Sequence, residues 1–236
     1  MVAGSNRPLI VCLLPGLDGT GRLYGRLTTE LSADFDVRIL DYPVDAFDGY
    51  EALAGALAHR LPQDGPFLIV AESFAGPLAV LLAAGRPSGL VGVVIAASFL
   101  RKPIAQGGLL SRILRFLPAS VTPPLPVLEA VLMGGWQDAE VRRELASSLR
   151  LVEPSVLKAR LMATLRVDVR EEFRRITVPV LYLRASRDRL LQSGVGNDFV
   201  MPGVWHFDIE APHFVFQTVA SQAAEAIRNF LRDRDI

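Results

Sequence analysis

The sequence predicts an α/β protein: an open, mostly parallel sheet of about six strands, helices on both faces, and one helical insertion. Three observations carry this. Short apolar runs bounded by Pro, Gly and charged residues alternate with amphipathic stretches of about a dozen residues. The alternation breaks once, from residue 101 to 172, where no buried-strand pattern is found. Half of the 236 residues are apolar and 21% are charged, which excludes a disordered or fibrous chain.

Leu9–Leu14 (LIVCLL) reads as a first buried strand ending in Pro15-Gly16. Residues 22–33, with leucines at 23, 27 and 31, form a first helix. Asp36–Tyr42 is a second strand, Tyr50–Leu61 a second helix, Phe67–Ala71 a third strand, residues 76–86 a third helix and Leu90–Ala97 a fourth strand. Such alternation implies parallel pairing through right-handed crossovers. Prolines at 118, 123, 124 and 126 and the spacing of Val141, Leu145, Leu149 and Val152 mark the helical insertion. Strands resume at Pro179–Leu183 and Val204–Ile209, and a last helix aligns Ala220, Ala224, Ile227 and Leu231. The expected division is a core of 1–100 and 173–236 and a helical insertion of 101–172.

Composition excludes several classes. Charges balance at 25 against 25, so no overall field recruits nucleic acid or an anionic membrane. One cysteine, Cys12, excludes an internal disulfide and every multi-cysteine metal motif, and its apolar run suits a buried thiol. Leu9–Leu14 is too short for a secretory core, and the apolar stretch 77–100 is broken at Gly85-Arg86-Pro87-Ser88-Gly89. A soluble, cytoplasmic protein is expected.

Ligands in open α/β sheets bind outside the carboxyl ends of the strands, so the segments after each strand are the places to look. The first is Pro15-Gly16-Leu17-Asp18-Gly19-Thr20-Gly21-Arg22. Gly16 and Gly21 have P-loop spacing, but Arg22 and Leu23 replace the required Lys and hydroxyl. A dinucleotide site could use these glycines with Asp41, yet G-x-x-G-x-G is not G-x-G-x-x-G, and no Tyr-x-x-x-Lys pair is present. A third reading is a loop that aims backbone N–H groups at a developing oxyanion. A plain Gly-rich turn is the fourth.

After the third strand comes Ala71-Glu72-Ser73-Phe74-Ala75-Gly76, a strand-to-helix turn with a serine at its apex and small residues two positions either side. A serine needs a base, and the base needs an orienting group. Of three histidines, His59 flanks a helix stripe and His206 lies inside a strand, whereas His213 follows the last strand. Asp188 follows the fifth strand, giving the order Ser, Asp, His; Glu210 and Asp168 are the alternative acids.

This layout resembles the α/β-hydrolase family, in particular its small single-domain serine esterases. The matching residues are Pro15-Gly16-Leu17, the turn at Ser73, Asp188 and His213, and the insertion falls where that family places its cap. The chain starts near the oxyanion-loop strand, without the family's usual N-terminal hairpin. It has Pro-Gly where many relatives have His-Gly, and Ala71 and Ala75 for the two glycines around the serine. Serine at the turn argues against the dehalogenases and epoxide hydrolases of the family, which use aspartate there.

The resemblance implies a carboxylesterase acting on short-to-medium acyl esters. Ser73, His213 and Asp188 would form its triad, the backbone N–H groups of Leu17 and Phe74 its oxyanion hole, and no metal or organic cofactor would take part. An acyltransferase or thioesterase would use the same machinery. From other classes, a nucleotide-dependent reductase and a non-catalytic binding protein are the competing readings. The insertion carries Ile113, Leu114, Phe116, Leu117, Val131, Leu132, Met133 and Trp136 as candidate slot or packing residues. Its 11 Lys+Arg against 8 Asp+Glu make an acyl carrier partner conceivable, though so small an excess more often marks a solvated face.

Overall fold

The computed structural model describes residues 8–103, 125–191, 194–234 and 236. Six parallel strands form one sheet in the order β2-β1-β3-β4-β5-β6: β1 Ile10–Leu14, β2 Asp36–Ile39, β3 Phe67–Glu72, β4 Leu90–Ala96, β5 Val180–Ala185 and β6 Val204–Ile209. β1 and β3 are buried along their whole length. Such strands read as continuous apolar runs because helices cover both faces of the sheet.

One face, presenting Ile10, Cys12, Leu14, Phe67, Ile69 and Ala71, packs against α2 (Tyr50–Ala58), α3 (Ala75–Ala84) and Phe173 of the short α7 (Arg170–Phe173). The other, presenting Val11, Leu13, Leu68 and Val70, packs against α1 (Gly25–Leu31), α8 (Val215–Thr218) and α9 (Ala220–Arg232). Side chains of successive strand residues alternate between these two cores, as the two-residue period of a strand demands. Cys12 is buried, and burial pushes its thiol up to about 12, in keeping with an inert packing role.

Between β4 and β5 run α4 (Leu125–Leu132), α5 (Ala139–Leu151), α6 (Pro154–Thr164) and α7. Asp138 caps α5 by accepting from the N–H groups of Glu140 and Val141, and Val141 and Leu145 form its buried stripe. Pro154 opens α6, where a missing N–H is harmless. Ile113, Leu114, Phe116, Leu117 and the prolines at 118, 123 and 124 lie outside the described residues. Among the described residues, no helix is long and apolar enough to cross a membrane.

The differences from the sequence reading sit at element ends. The first helix opens as a 3₁₀ turn, Arg22–Tyr24, before α1. β2 stops at Ile39 rather than Tyr42, because Tyr42 turns its N–H to Gly19 O (2.8 Å) and its hydroxyl to Pro15 O (2.8 Å). β4 ends at Ala96 because Ala97 takes a left-handed φ of 41°. β5 runs on to Ala185, two residues past the expected end, paired with Ile209 of β6.

α3 must approach β4 closely if β3 is to turn straight into it. Gly76 permits this: a Cβ there would lie 1.9 Å from Ser98 Oγ and 2.7 Å from Ser98 Cβ. Gly76→Ala should therefore destabilise the protein by about 1–3 kcal/mol in urea unfolding. In the Ser98→Gly background the same change should be clearly milder; equal penalties in both backgrounds would show that this contact is not the reason for glycine.

Candidate active site

The site grows from the carboxyl end of β3. Ser73 follows the strand with φ 56°, in the left-handed region that a serine enters at a cost of about 1–3 kcal/mol. Three hydrogen bonds hold it there. Its N–H donates to Ala96 O (3.0 Å), and its carbonyl accepts from Gly76 N (3.0 Å) and from the Ser98 hydroxyl. Phe74 is fixed next to it, its ring stacked on Tyr50 at 4.8 Å and its carbonyl accepting from the Tyr50 hydroxyl at 3.0 Å. Ser73 itself is only half-buried.

β5 and β6 bring the partners. The loop after β6 is tied back by Arg187 N–H to Ala211 O (3.0 Å) and by Phe214 N–H to Leu132 O of α4 (3.0 Å). His213 sits between these ties, 1% exposed. Its Nδ1 lies 2.7 Å from Asp188 Oδ2 and its Nε2 2.7 Å from Ser73 Oγ. The neutral tautomer that fits is Nδ1–H donating to the carboxylate, with Nε2 accepting from the serine hydroxyl. Asp188 Oδ1 accepts from the N–H groups of Leu190 (2.7 Å) and Leu191 (3.0 Å). Burial pushes the Asp188 carboxyl up, but His213 and these two N–H groups outweigh it and hold the group below its ordinary value.

The structure thus brings Ser73, His213 and Asp188 into one hydrogen-bonded row. The alternatives lie elsewhere: Glu210 is exposed and paired with Arg187, Asp168 is exposed and paired with Arg170, His59 is exposed, and His206 bonds Phe199 O. Asp41, the candidate ribose ligand, is exposed and paired with Arg60. Leu14 pairs with Ala71 in the sheet, so the loop carrying Leu17 leaves it beside the turn carrying Phe74. Among the described residues, no hydrogen bond engages the N–H of Leu17 or of Phe74. No cluster of metal-ligating side chains occurs among them either.

A profile of the Alpha/beta hydrolase family matches residues 10–227. The chain belongs to that family. Among solved structures, an alpha/beta hydrolase likeness runs over almost the entire length. A hydrolase from Oleispira antarctica superposes with a TM-score of 0.79 at 17% identity, over 97% of this chain and 92% of that one. A lipase-esterase related protein from Clostridium acetobutylicum gives 0.78 at 16%, over 97% of each. An enol-lactonase from Burkholderia xenovorans gives 0.77 at 16%, over 97% and 92%. At these identities the likeness is one of fold. Among curated proteins the sequence finds no match.

Glu72 and Arg160, both charged and buried beside the site, were given no role from the sequence. Glu72 fills the variable position before Ser73 and is 2% exposed. Its Oε1 accepts from Phe216 N–H (3.0 Å) and its Oε2 from Gln217 Nε2 (2.9 Å), tying β3 to α8 just past His213. A lone acid closing the apolar run Phe67–Ala71 was the available signal. Burial pushes the Glu72 carboxyl from 4.5 to about 7, against the opposing pull of Phe216 N–H, Gln217 and His213.

The folded protein holds this proton over a range where the unfolded chain has released it. The resulting stabilisation is complete below about pH 4.5 and is lost as pH rises through 7. At ~1.4 kcal/mol per pKa unit, the loss is on the order of 3 kcal/mol. Wild type should lose that much relative to Glu72→Gln between pH 4 and pH 8 in urea unfolding. A difference between the two proteins that does not change with pH would contradict it.

Proposed function

We propose that the protein is a serine hydrolase of carboxylic esters, working through an acyl-enzyme. The observation that carries this reading is the row Ser73–His213–Asp188, with both bridging distances at 2.7 Å. His213 Nε2 takes the hydroxyl proton as Ser73 Oγ attacks the ester carbonyl carbon. The oxyanion that forms accepts from the N–H groups of Leu17 and Phe74, the latter at the start of α3, where the helix dipole also favours negative charge. Collapse breaks the bond to the alkoxide, which takes the proton back from His213. Water, deprotonated by the same imidazole, then releases the acid. Asp188 fixes the tautomer and stabilises the imidazolium throughout.

The segment 101–172 serves in this reading as a cap. Leu132 O holds Phe214 N–H, one residue from His213, and Met133, Val141 and Leu145 pack with Leu23 and Phe214. These side chains pack the segment beside His213, and an acyl or alcohol group of short to medium length is the expected occupant of the site, since ligand pockets are mainly apolar with a few polar anchors.

A series of p-nitrophenyl esters of increasing acyl length tests the proposal. Turnover should peak at short to medium chains, and Ser73→Ala should lose roughly 10⁶ and Asp188→Asn on the order of 10⁴ in kcat, as in serine proteases. His213→Gln should lose kcat on a scale comparable with Ser73→Ala, whereas His59→Gln and His206→Gln should leave kcat unchanged. Ser73→Ala with wild-type turnover would refute the mechanism. A peak at long chains, or transfer to an added alcohol without hydrolysis, would refute the carboxylesterase assignment.

A further inference from the structure

Arg160 is the largest fully buried side chain among the described residues. It lies on α6, on the stripe shared with Val156, Leu157 and Thr164, and among the described residues its guanidinium makes no salt bridge. Buried charges are normally paired; here the buried Asp18 carboxylate acts on the guanidinium without a salt bridge to it, so the position calls for an explanation. Its partners supply one. Nη1 donates to Leu17 O (2.9 Å) and to Asp18 O (2.8 Å), and Nη2 donates to Pro43 O (2.7 Å). The planar group also lies over the rings of Tyr42 and Phe47, at 5.4 and 5.9 Å. Nε has no acceptor, so the group is committed to backbone carbonyls through its terminal nitrogens alone.

Leu17 O and Asp18 O belong to the loop after β1 and Pro43 O to the segment after β2, and every carbonyl from Pro15 to Gly19 is held. Pro15 O accepts from the Tyr42 hydroxyl (2.8 Å), Gly16 O from Gly19 N–H (3.1 Å), Leu17 O and Asp18 O from Arg160, and Gly19 O from Tyr42 N–H (2.8 Å). A carbonyl turned to one side of a peptide turns the N–H of that same peptide to the other. Asp18 O, held by Arg160, thereby sets the Gly19 N–H, which bonds Gly16 O, and Gly16 O in turn sets the Leu17 N–H. Gly19 leaves room for the arrangement: with φ +73°, a Cβ there would lie 2.7 Å from Arg160 Nη1 and 2.7 Å from Tyr42 Cδ2.

We propose that Arg160 is a positioning residue that, from the segment between β4 and β5, locks the Pro15–Gly19 loop in the conformation presenting the Leu17 N–H to the oxyanion. This rests on the serine-hydrolase reading. It makes the oxyanion site depend on the docking of α6, which Glu153 N–H to Val44 O (2.9 Å) also secures. Two adjacent carbonyls on one nitrogen and a third on its neighbour match the planar fork of an arginine, which a lysine replaces with a single donor nitrogen.

The test compares Arg160→Lys, Arg160→Ala and Ser73→Ala with wild type. Amide hydrogen exchange at Gly19 and Tyr42, the two N–H groups that bond within the loop, should speed up in both Arg160 variants. With a p-nitrophenyl ester, kcat should drop roughly a hundredfold with KM within about threefold, because an oxyanion donor acts in the transition state. Added guanidinium chloride at low millimolar concentration should restore part of the kcat of Arg160→Ala but not of Ser73→Ala, and sodium chloride should restore neither. Unchanged exchange at Gly19 and Tyr42 would overturn the proposal, as would faster exchange with undiminished kcat. Ser73→Ala with wild-type turnover would instead overturn the reading on which it rests.

Discussion

Everything at the active edge depends on a serine held in a left-handed turn. With φ 56°, Ser73 stands where β3 passes into α3 with no intervening loop, and the strain of order 1–3 kcal/mol has to be offset by its surroundings. Ala96 O, Gly76 N–H and the Ser98 hydroxyl provide that offset, and two of the three come from β4 and the residues just after it. The close approach at Gly76 is part of the same constraint, because a wider turn would move the hydroxyl away from the His213 loop.

The sheet then supplies the remaining order. Parallel pairing puts the carboxyl ends of β1, β3, β5 and β6 on one edge, so three loops far apart in sequence meet without any of them being long. Each is held by polar groups that the fold buries. Glu72 ties the serine strand to α8, directly after the histidine loop. Leu190 and Leu191 turn their N–H groups onto Asp188. Arg160 holds two carbonyls of the loop after β1, Leu17 O and Asp18 O. Buried and hydrogen-bonded, such groups fix one geometry where an apolar replacement would leave several open.

The strands were legible because helices cover both faces of the sheet: LIVCLL and FLIVA are apolar throughout and leave no other interpretation. Ser73, Asp188 and His213 could be picked out for a related reason, since each stands just past a strand end where binding loops gather. Element ends were harder. Nothing in Asp36–Tyr42 announces that Tyr42 bonds the Gly19 loop rather than the ladder, because that partner is remote in sequence. Glu72 and Arg160 were overlooked because a charged side chain is solvated by default, and only tertiary packing buries it. Arg160 does fall on the stripe of Val156, Leu157 and Thr164, a spacing that could have flagged it.

The central claim is that Ser73 is an activated nucleophile, and the reactivity of that one hydroxyl measures it most directly. Treatment with a fluorophosphonate, followed by intact-mass and peptide analysis, should show a single adduct, located on Ser73 and absent from His213→Gln on the same timescale. A protein that takes up no label, or takes it up on another residue, would contradict the account.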